Sequence, residues 1–440
     1  MALTTERRLS PTMDRPRLDL DWWSDIVTLV LGALLVANHL ALIHRFRSLA
    51  FVRQDTAFFV WSGAQVASGR LPYVDYWDIK PPAIHELMGL LGLVAGGDLQ
   101  VLAALGLLTS ITAVGGLVYL LARTTYTVTE SEVAAFAAAL SPLVLREFYL
   151  SAVMDVRVQV FTALFTVVPL SLFAHGREGP AVGAAALSAA FWQPGIGIVA
   201  VTMYGAWRRG ALRSGVVWLA GVTAVVLAPF LARGTLDPVF AQTVLAPLLI
   251  ERQEPLIAVL VVLTESLGLG IVVLVVAGAA IVLDRRVEHT IPRTTVAVIV
   301  GSFAWYVGYV ALVSLDGPVD LLPLLAVSGL CVGLTVGILP AELADPEGRF
   351  AVDPRRVVVG TLLLAVALEL LWLRNWPYGM EPGHTPVGTY LDATGCHVRN
   401  SHQERWWIDV VQSSPYIEHC GDVDVTGIIW STVRAAFGVR

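Results

Sequence analysis

The stretch 320-DLLPLLAVSGLCVGLTVGILP-340 decides the fold class. After Asp320 it carries no charged residue, and a helix that crosses the hydrocarbon core of a bilayer needs about 20 predominantly apolar residues. The same pattern recurs at 26–44, 99–122, 157–175, 211–231, 256–283, 293–314 and 357–373, with weaker or broken versions over 82–96, 131–149 and 179–206. That gives about 11 membrane spans, up to about 13. Composition points the same way. The chain is 56% hydrophobic and 15% charged, with a mean hydropathy of +0.70, whereas soluble domains carry roughly 25% charged residues. The expected fold is an all-α polytopic membrane protein with an interfacial first outer loop and a small extracytoplasmic C-terminal tail.

The first apolar segment is followed by His44, Arg45 and Arg47 rather than by a small-residue cleavage site, so it reads as a retained anchor. Residues 1–25 are then a cytoplasmic tail carrying Arg7, Arg8, Arg15 and Arg17, 26–374 a membrane domain with an outer loop at 45–80, and 375–440 an extracytoplasmic region. Three arginine clusters set the orientation: Arg208/Arg209/Arg213, Arg285/Arg286/Arg293 and Arg349/Arg355/Arg356, in short loops that the positive-inside rule assigns to the cytoplasm. Loops 232–255 and 315–320 consequently face outward. Cys396 and Cys420 fall in the outward tail, where an oxidising exterior favours a disulfide; His397, His402 and His419 leave a metal site as the alternative. Cys331 lies inside an apolar span and reads as a small core residue.

Between the first span and the Pro81-Pro82 pair, 45-RFRSLAFVRQDTAFFVWSGAQVASGRLPYVDYWDIK-80 does not resemble lipid-embedded helix. Its central part, 55–69, suggests an amphipathic helix along the membrane surface, ended by Gly69. The following stretch alternates aromatics with Asp75 and Asp78 and ends at Lys80, the single lysine among 29 Lys and Arg residues. Long loops in compact proteins are usually functional. Asp55, Asp75, Asp78 and Lys80 among aromatics read either as solvated charges in an interfacial belt, or as a site for a charged, lipid-tethered substrate, with Lys80 a compact cation for a phosphate.

Asp55 followed by 69-GRLPYVDYWDIKPP-82 resembles the first outer loop of C-type membrane glycosyltransferases, which use polyprenyl-phosphate sugars and include dolichyl-phosphate-mannose mannosyltransferases and lipid A aminoarabinose transferases. Fainter similarities extend along the membrane region, in 141-SPLVLREFYLSAVMD-155, in 191-FWQPGIGIV-199 (where Trp192-Gln193 replaces an expected lysine) and in 316-DGPVDLLPLLA-326. The resemblance implies inverting transfer of a hexose, mannose by first choice, from dolichyl or another polyprenyl phosphate to a glycan on a surface glycoprotein or lipid carrier. Transfer to protein Ser/Thr or to a lipid headgroup is the alternative. The composition, almost free of lysine, hints at a GC-rich or halophilic source, which with the resemblance suggests a haloarchaeon.

The chemistry follows from the residue types. An acceptor hydroxyl needs a base, and Asp55 is the candidate by family position. The departing lipid phosphate gains negative charge, so Lys80, with Arg53, Arg146 or Arg157, could stabilise it. Asp155 either contacts sugar or acceptor, or holds Arg157 or Arg146 in place. Tyr73, Asp75, Asp78, His85, Gln193 and Asp320 are further sugar or acceptor candidates. Local turn bonds are the plainer role for Asp75 and Asp78, a broken helix for Gln193, and a cap on the helix from Leu321 for Asp320. A divalent cation could be shared by Asp55, Asp155 and a phosphate, though no complete ligand set is visible. The expected partners are the lipid-linked donor, the acceptor and the bilayer, with no nucleic acid. A transporter or flippase is the rival class, but it predicts half-to-half repeats and mid-bilayer charges. Here no such repeat is seen and the ionisable groups gather in outer loops.

Overall fold

The computed structural model describes residues 51–76, 78–145, 155–245, 267–287, 290–312, 318–339 and 351–375, with short strands at 343–344, 384–386, 417–419 and 422–423 and three isolated positions. Strand β1 (Phe51–Arg53) leads into α1 (Gln54–Ala67), followed by α2 (Ala83–Ala95), α3 (Leu99–Thr129) and α4 (Glu132–Leu140). Then come α5 (Val158–Ala174), α6 (Glu178–Phe191), α7 (Ile196–Arg208), α8 (Leu212–Arg233) and the short α9 (Leu236–Phe240), which runs into a π-turn at Ala241–Leu245. The last helices are α10 (Gly270–Arg286), α11 (Arg293–Leu312), α12 (Leu322–Ile338) and α13 (Pro354–Asn375). The strands form three antiparallel pairs, one of which joins β1 to His384–Pro386 of the C-terminal region.

Helix boundaries follow local chemistry. The Asp98 carboxylate accepts from the Gln100 and Val101 amides at 2.8 and 3.1 Å and opens α3. Ser131 then opens α4 by accepting from the Ala134 amide. With 31 residues, α3 is about 46 Å long, more than the roughly 30 Å of a hydrocarbon core. The expected broken span 179–206 is indeed two helices, α6 and α7, separated at a 3-10 turn, Gln193–Gly195. The Trp305 indole donates to the Pro194 carbonyl there, 2.8 Å away, and helps seal the break.

The core is organised around α12. Of its most apolar stretch 94% is buried, against 17% for α8, whose Val217 and Val225 are exposed as on a lipid-facing helix. Gly329, Gly333 and Gly337 recur at four-residue spacing on α12. A β-carbon at Gly333 would lie 2.4 Å from Thr125 of α3, and one at Gly329 2.9 Å from the Ala138 carbonyl of α4. Small residues at this spacing let helices approach closely where lipid supplies no hydrophobic drive. The alanines of α4 serve the same close packing.

Among the described residues four helices are long and apolar enough to span a bilayer: Leu99–Thr129, Leu212–Arg233, Arg293–Ala311 and Val319–Ile338. The expected total of about 11 also counted stretches mostly or partly outside the described residues, 26–44 and 256–283, and stretches that fold as short apolar helices such as Ala83–Ala95 and Glu132–Val144. One expectation changes, that α1 lies along the membrane surface. Residues 56–63 are buried without interruption, which covers every side of a helix and leaves no solvated face there. The first apolar stretch, 26–44, lies outside the described residues apart from Gly32, and so do both tail cysteines.

Candidate active site

Asp55 stands in the first turn of α1, where the positive end of the helix dipole favours a carboxylate. Across from it, 155–157 run in an extended segment into the N-terminus of α5. The Arg157 guanidinium joins two acids: Nη1 pairs with Asp55 Oδ2, and Nε lies 3.2 Å from Asp155 Oδ2. Thr56 completes the joint, donating to Asp155 Oδ1 at 3.3 Å and accepting from the Val156 amide at 2.9 Å. Asp155 is fully buried, while Asp55 and Arg157 keep 17% of their side-chain surface open. A cation that bridges two carboxylates fixes both. Asp155 thus holds Arg157, one of the two roles open to it in the sequence.

The Lys80 loop is built by a second network. Asp75 Oδ2 accepts from the Leu71 amide at 2.6 Å, and Asp78 Oδ1 from the Lys80 amide at 3.1 Å, both local turn bonds. Tyr73 adopts φ +69°, a left-handed conformation that costs a non-glycine residue about 1–3 kcal/mol. Its hydroxyl donates to the Lys80 carbonyl at 2.5 Å, and its amide to the Tyr76 carbonyl. Behind the loop, Tyr76 Oη and Ser62 Oγ are 2.6 Å apart, as are Ser62 Oγ and His85 Nδ1. His85 Nε2 lies 3.0 Å from Asp78 Oδ2, close but off the hydrogen-bond line. Burial, followed by the nearby Asp78 carboxylate, pushes the Tyr73 phenol well above its ordinary value. Burial does the same to Tyr76. Both phenols therefore stay neutral and able to donate.

These placements redistribute the candidates. Asp55, Asp155 and Arg157 converge, and Lys80 is only partly covered at the end of its loop. Tyr73, Asp78 and His85 are wholly buried and face protein, where they brace the loop instead of lining an open cleft. Asp75 is exposed. Asp320 lies in the 3-10 turn Pro318–Leu321 and accepts from Gln159 Nε2 at 2.8 Å. The cap position of α12 belongs to Leu321, so the capping role expected of Asp320 is corrected. Gln193 Nε2 donates to the carbonyls of Ile79 and Thr243, at 2.5 and 3.1 Å. Arg146 lies outside the described residues, and Arg53 is placed by its backbone in β1. Among the described residues no three His, Cys, Asp or Glu side chains group to hold a metal ion.

Thr56, Ser62, Gln159 and Gln242 were not singled out by sequence. Gln242, on the π-turn, donates to the Tyr73 carbonyl at 2.8 Å and accepts from the Asp78 amide at 3.2 Å. Nothing local in 232–255 marks it, because its partners are more than 160 residues away.

Residues 69–231 match the family model described as DolP-mannose mannosyltransferase. A dolichol phosphate-mannose mannosyltransferase of Haloferax volcanii is 28% identical over 274 residues, 61% of this chain and 58% of that one. The likeness to C-type, polyprenyl-phosphate-sugar glycosyltransferases is borne out. In fold, the chain is similar to ArnT of Cupriavidus metallidurans bound to undecaprenyl phosphate, with a TM-score of 0.51 at 16% identity over 76% of this chain and 62% of ArnT. The apo form of ArnT gives 0.50 at 15% identity, over 70% of this chain and 60% of ArnT. The chain therefore spans about 60% of the length of these relatives. The matched family region contains Lys80, Asp155, Arg157 and Gln193, whereas Asp55 precedes it.

Proposed function

We propose that this protein is an inverting glycosyltransferase that moves a hexose, mannose by first choice, from dolichyl or another polyprenyl phosphate to a glycan on a glycoprotein or lipid carrier at the outer membrane face. The observation that carries this reading is the Asp55–Arg157–Asp155 joint at the start of α1 and α5, in a chain whose Lys80 loop lies within the region that matches the family model. Asp55 would take the acceptor hydroxyl proton as the new bond forms at the anomeric carbon. The bond from that carbon to the phosphate oxygen breaks on the opposite face, and the lipid phosphate leaves with one more negative charge. Lys80 would meet that charge. The leaving group needs no proton, so one carboxylate suffices, unlike the pair used in glycoside hydrolysis. Arg157 would orient Asp55 while itself held by Asp155.

The outer location is supported by the direction of the helices. Helix α5 starts at Arg157 and ends near Arg209, which donates to Phe173, Glu178 and Thr295. Helix α12 starts beside Asp320 and ends at Leu339, whose carbonyl accepts from Arg355. The acidic site and the arginine-rich loops are therefore at opposite ends of the same helices, and the positive-inside rule assigns the arginine end to the cytoplasm.

The testing experiment follows transfer of radiolabelled mannose from its polyprenyl phosphate in membranes, comparing wild type with Asp55→Asn and Lys80→Ala. Transfer should fall about 10²–10⁴-fold on loss of the base and about 10²–10³-fold on loss of the cation. Wild-type rates in both variants would remove the assigned site.

A further inference from the structure

The Lys80 loop is irregular backbone that approaches the interior, so its buried amides and carbonyls need partners that no sheet or helix ladder supplies. Three of these groups, the Tyr73 carbonyl, the Asp78 amide and the Ile79 carbonyl, are met by two side-chain amides from distant parts of the chain. Gln242 uses both ends of its carboxamide, donating to Tyr73 and accepting from Asp78. Gln193 uses its amino group twice, toward Ile79 and toward Thr243, the neighbour of Gln242. A carboxamide carries a donor and an acceptor on a single rigid plane, the same groups a peptide unit offers, which suits it to replace a strand partner. Around this clamp, Tyr73 packs on Phe230 with ring centroids 5.6 Å apart, and Arg233 Nη1 donates to the Gly69 carbonyl at 3.2 Å. The Lys80 loop is thereby fastened to the end of α8 and to the π-turn beyond it.

Resting on the proposed reaction, we infer that Gln242 and Gln193 are positioning residues. Their amides set the Lys80 backbone, and so the ammonium, against the lipid phosphate, which makes the 241–245 turn part of the donor site. Neither amide needs to touch the substrate. Loss of either should let Lys80 wander, and a misplacement of about 1 Å costs on the order of 10²-fold in rate.

Lys80 is the only lysine in the sequence, so it reports on itself. Full-length protein in detergent is treated with a water-soluble amine-acylating ester, and modification of Lys80 is timed by peptide mass spectrometry. Wild type is compared with Gln242→Leu, Gln193→Leu and Thr166→Val. The last removes buried hydroxyl contacts to Ser188 and Tyr306, none of them to the loop itself, and serves as a stability control. The expected result is several-fold faster acylation of Lys80 in both glutamine variants and wild-type acylation in Thr166→Val. In Gln242→Leu, kcat for sugar transfer should drop about 10²-fold with the acceptor KM unchanged. Wild-type acylation in either glutamine variant, or equal acceleration in Thr166→Val, overturns the inference. The acylation comparison decides it even if wild type transfers no sugar, an outcome that would overturn the proposed function alone.

Discussion

Arg157 is held between Asp55 and Asp155. Arg157→Ala removes a charge-assisted bond from the buried Asp155, and thermal or denaturant unfolding in detergent should show a loss of about 1.5–3 kcal/mol. Asp55→Asn keeps size, partial exposure and the Arg157–Asp155 pair, so it should cut transfer about 10²–10⁴-fold with little loss of stability; a large drop in melting temperature would reassign Asp55 to structure. Tyr73 and Tyr76 offer a pH test. Their folded phenols ionise above the unfolded value, so they favour the fold at neutral pH, and that contribution is lost as pH rises past about 10 toward the folded value. Ultraviolet titration should find one fewer tyrosine resisting ionisation until the protein opens in each of Tyr73→Phe and Tyr76→Phe than in wild type. Asp55 and Lys80 were legible in the sequence because a local pattern surrounds each. Thr56, Gln159 and Gln242 were not, since a single polar residue in an apolar segment has no periodic signal.

Helix α12 shows how spacing controls packing. Its glycines put α3 and α4 at contact distance, so Gly333→Val would drive a branched side chain into Thr125. Overpacking of this kind costs typically about 1–3 kcal/mol, and a lower melting temperature in detergent should register it, whereas Gly278→Ala on α10 meets open space and should be neutral. The four-residue spacing was present in the sequence, yet only the structure identified the facing helices. Helix α1 carries the opposite lesson. Its mixture of aromatics and small residues fits a surface helix as well as a packed one, and burial against α2 decided between them. Gly63 of α1 marks that contact, with room for a β-carbon only 2.6 Å from the Met88 carbonyl.

Across the molecule, α5 and α12 separate an acidic end from an arginine-rich one. The single lysine makes this orientation testable: a membrane-impermeant amine reagent added to sealed, right-side-out vesicles should modify Lys80, and protection until the vesicles are opened would place the loop inside. Strand β1, just before Asp55, pairs with His384–Pro386, which brings that short strand beside the site. The apolar lengths, the arginine clusters and the Asp55-to-Lys80 loop were determined by sequence alone, because bilayer thickness and local turn chemistry act on neighbouring residues. Which acid meets Arg157, which glutamines hold the Lys80 loop and which helix fills the core were decided only by tertiary structure. Those contacts join residues some 100 to 170 positions apart, and burial, not sequence neighbourhood, selects the partner for each unsatisfied polar group.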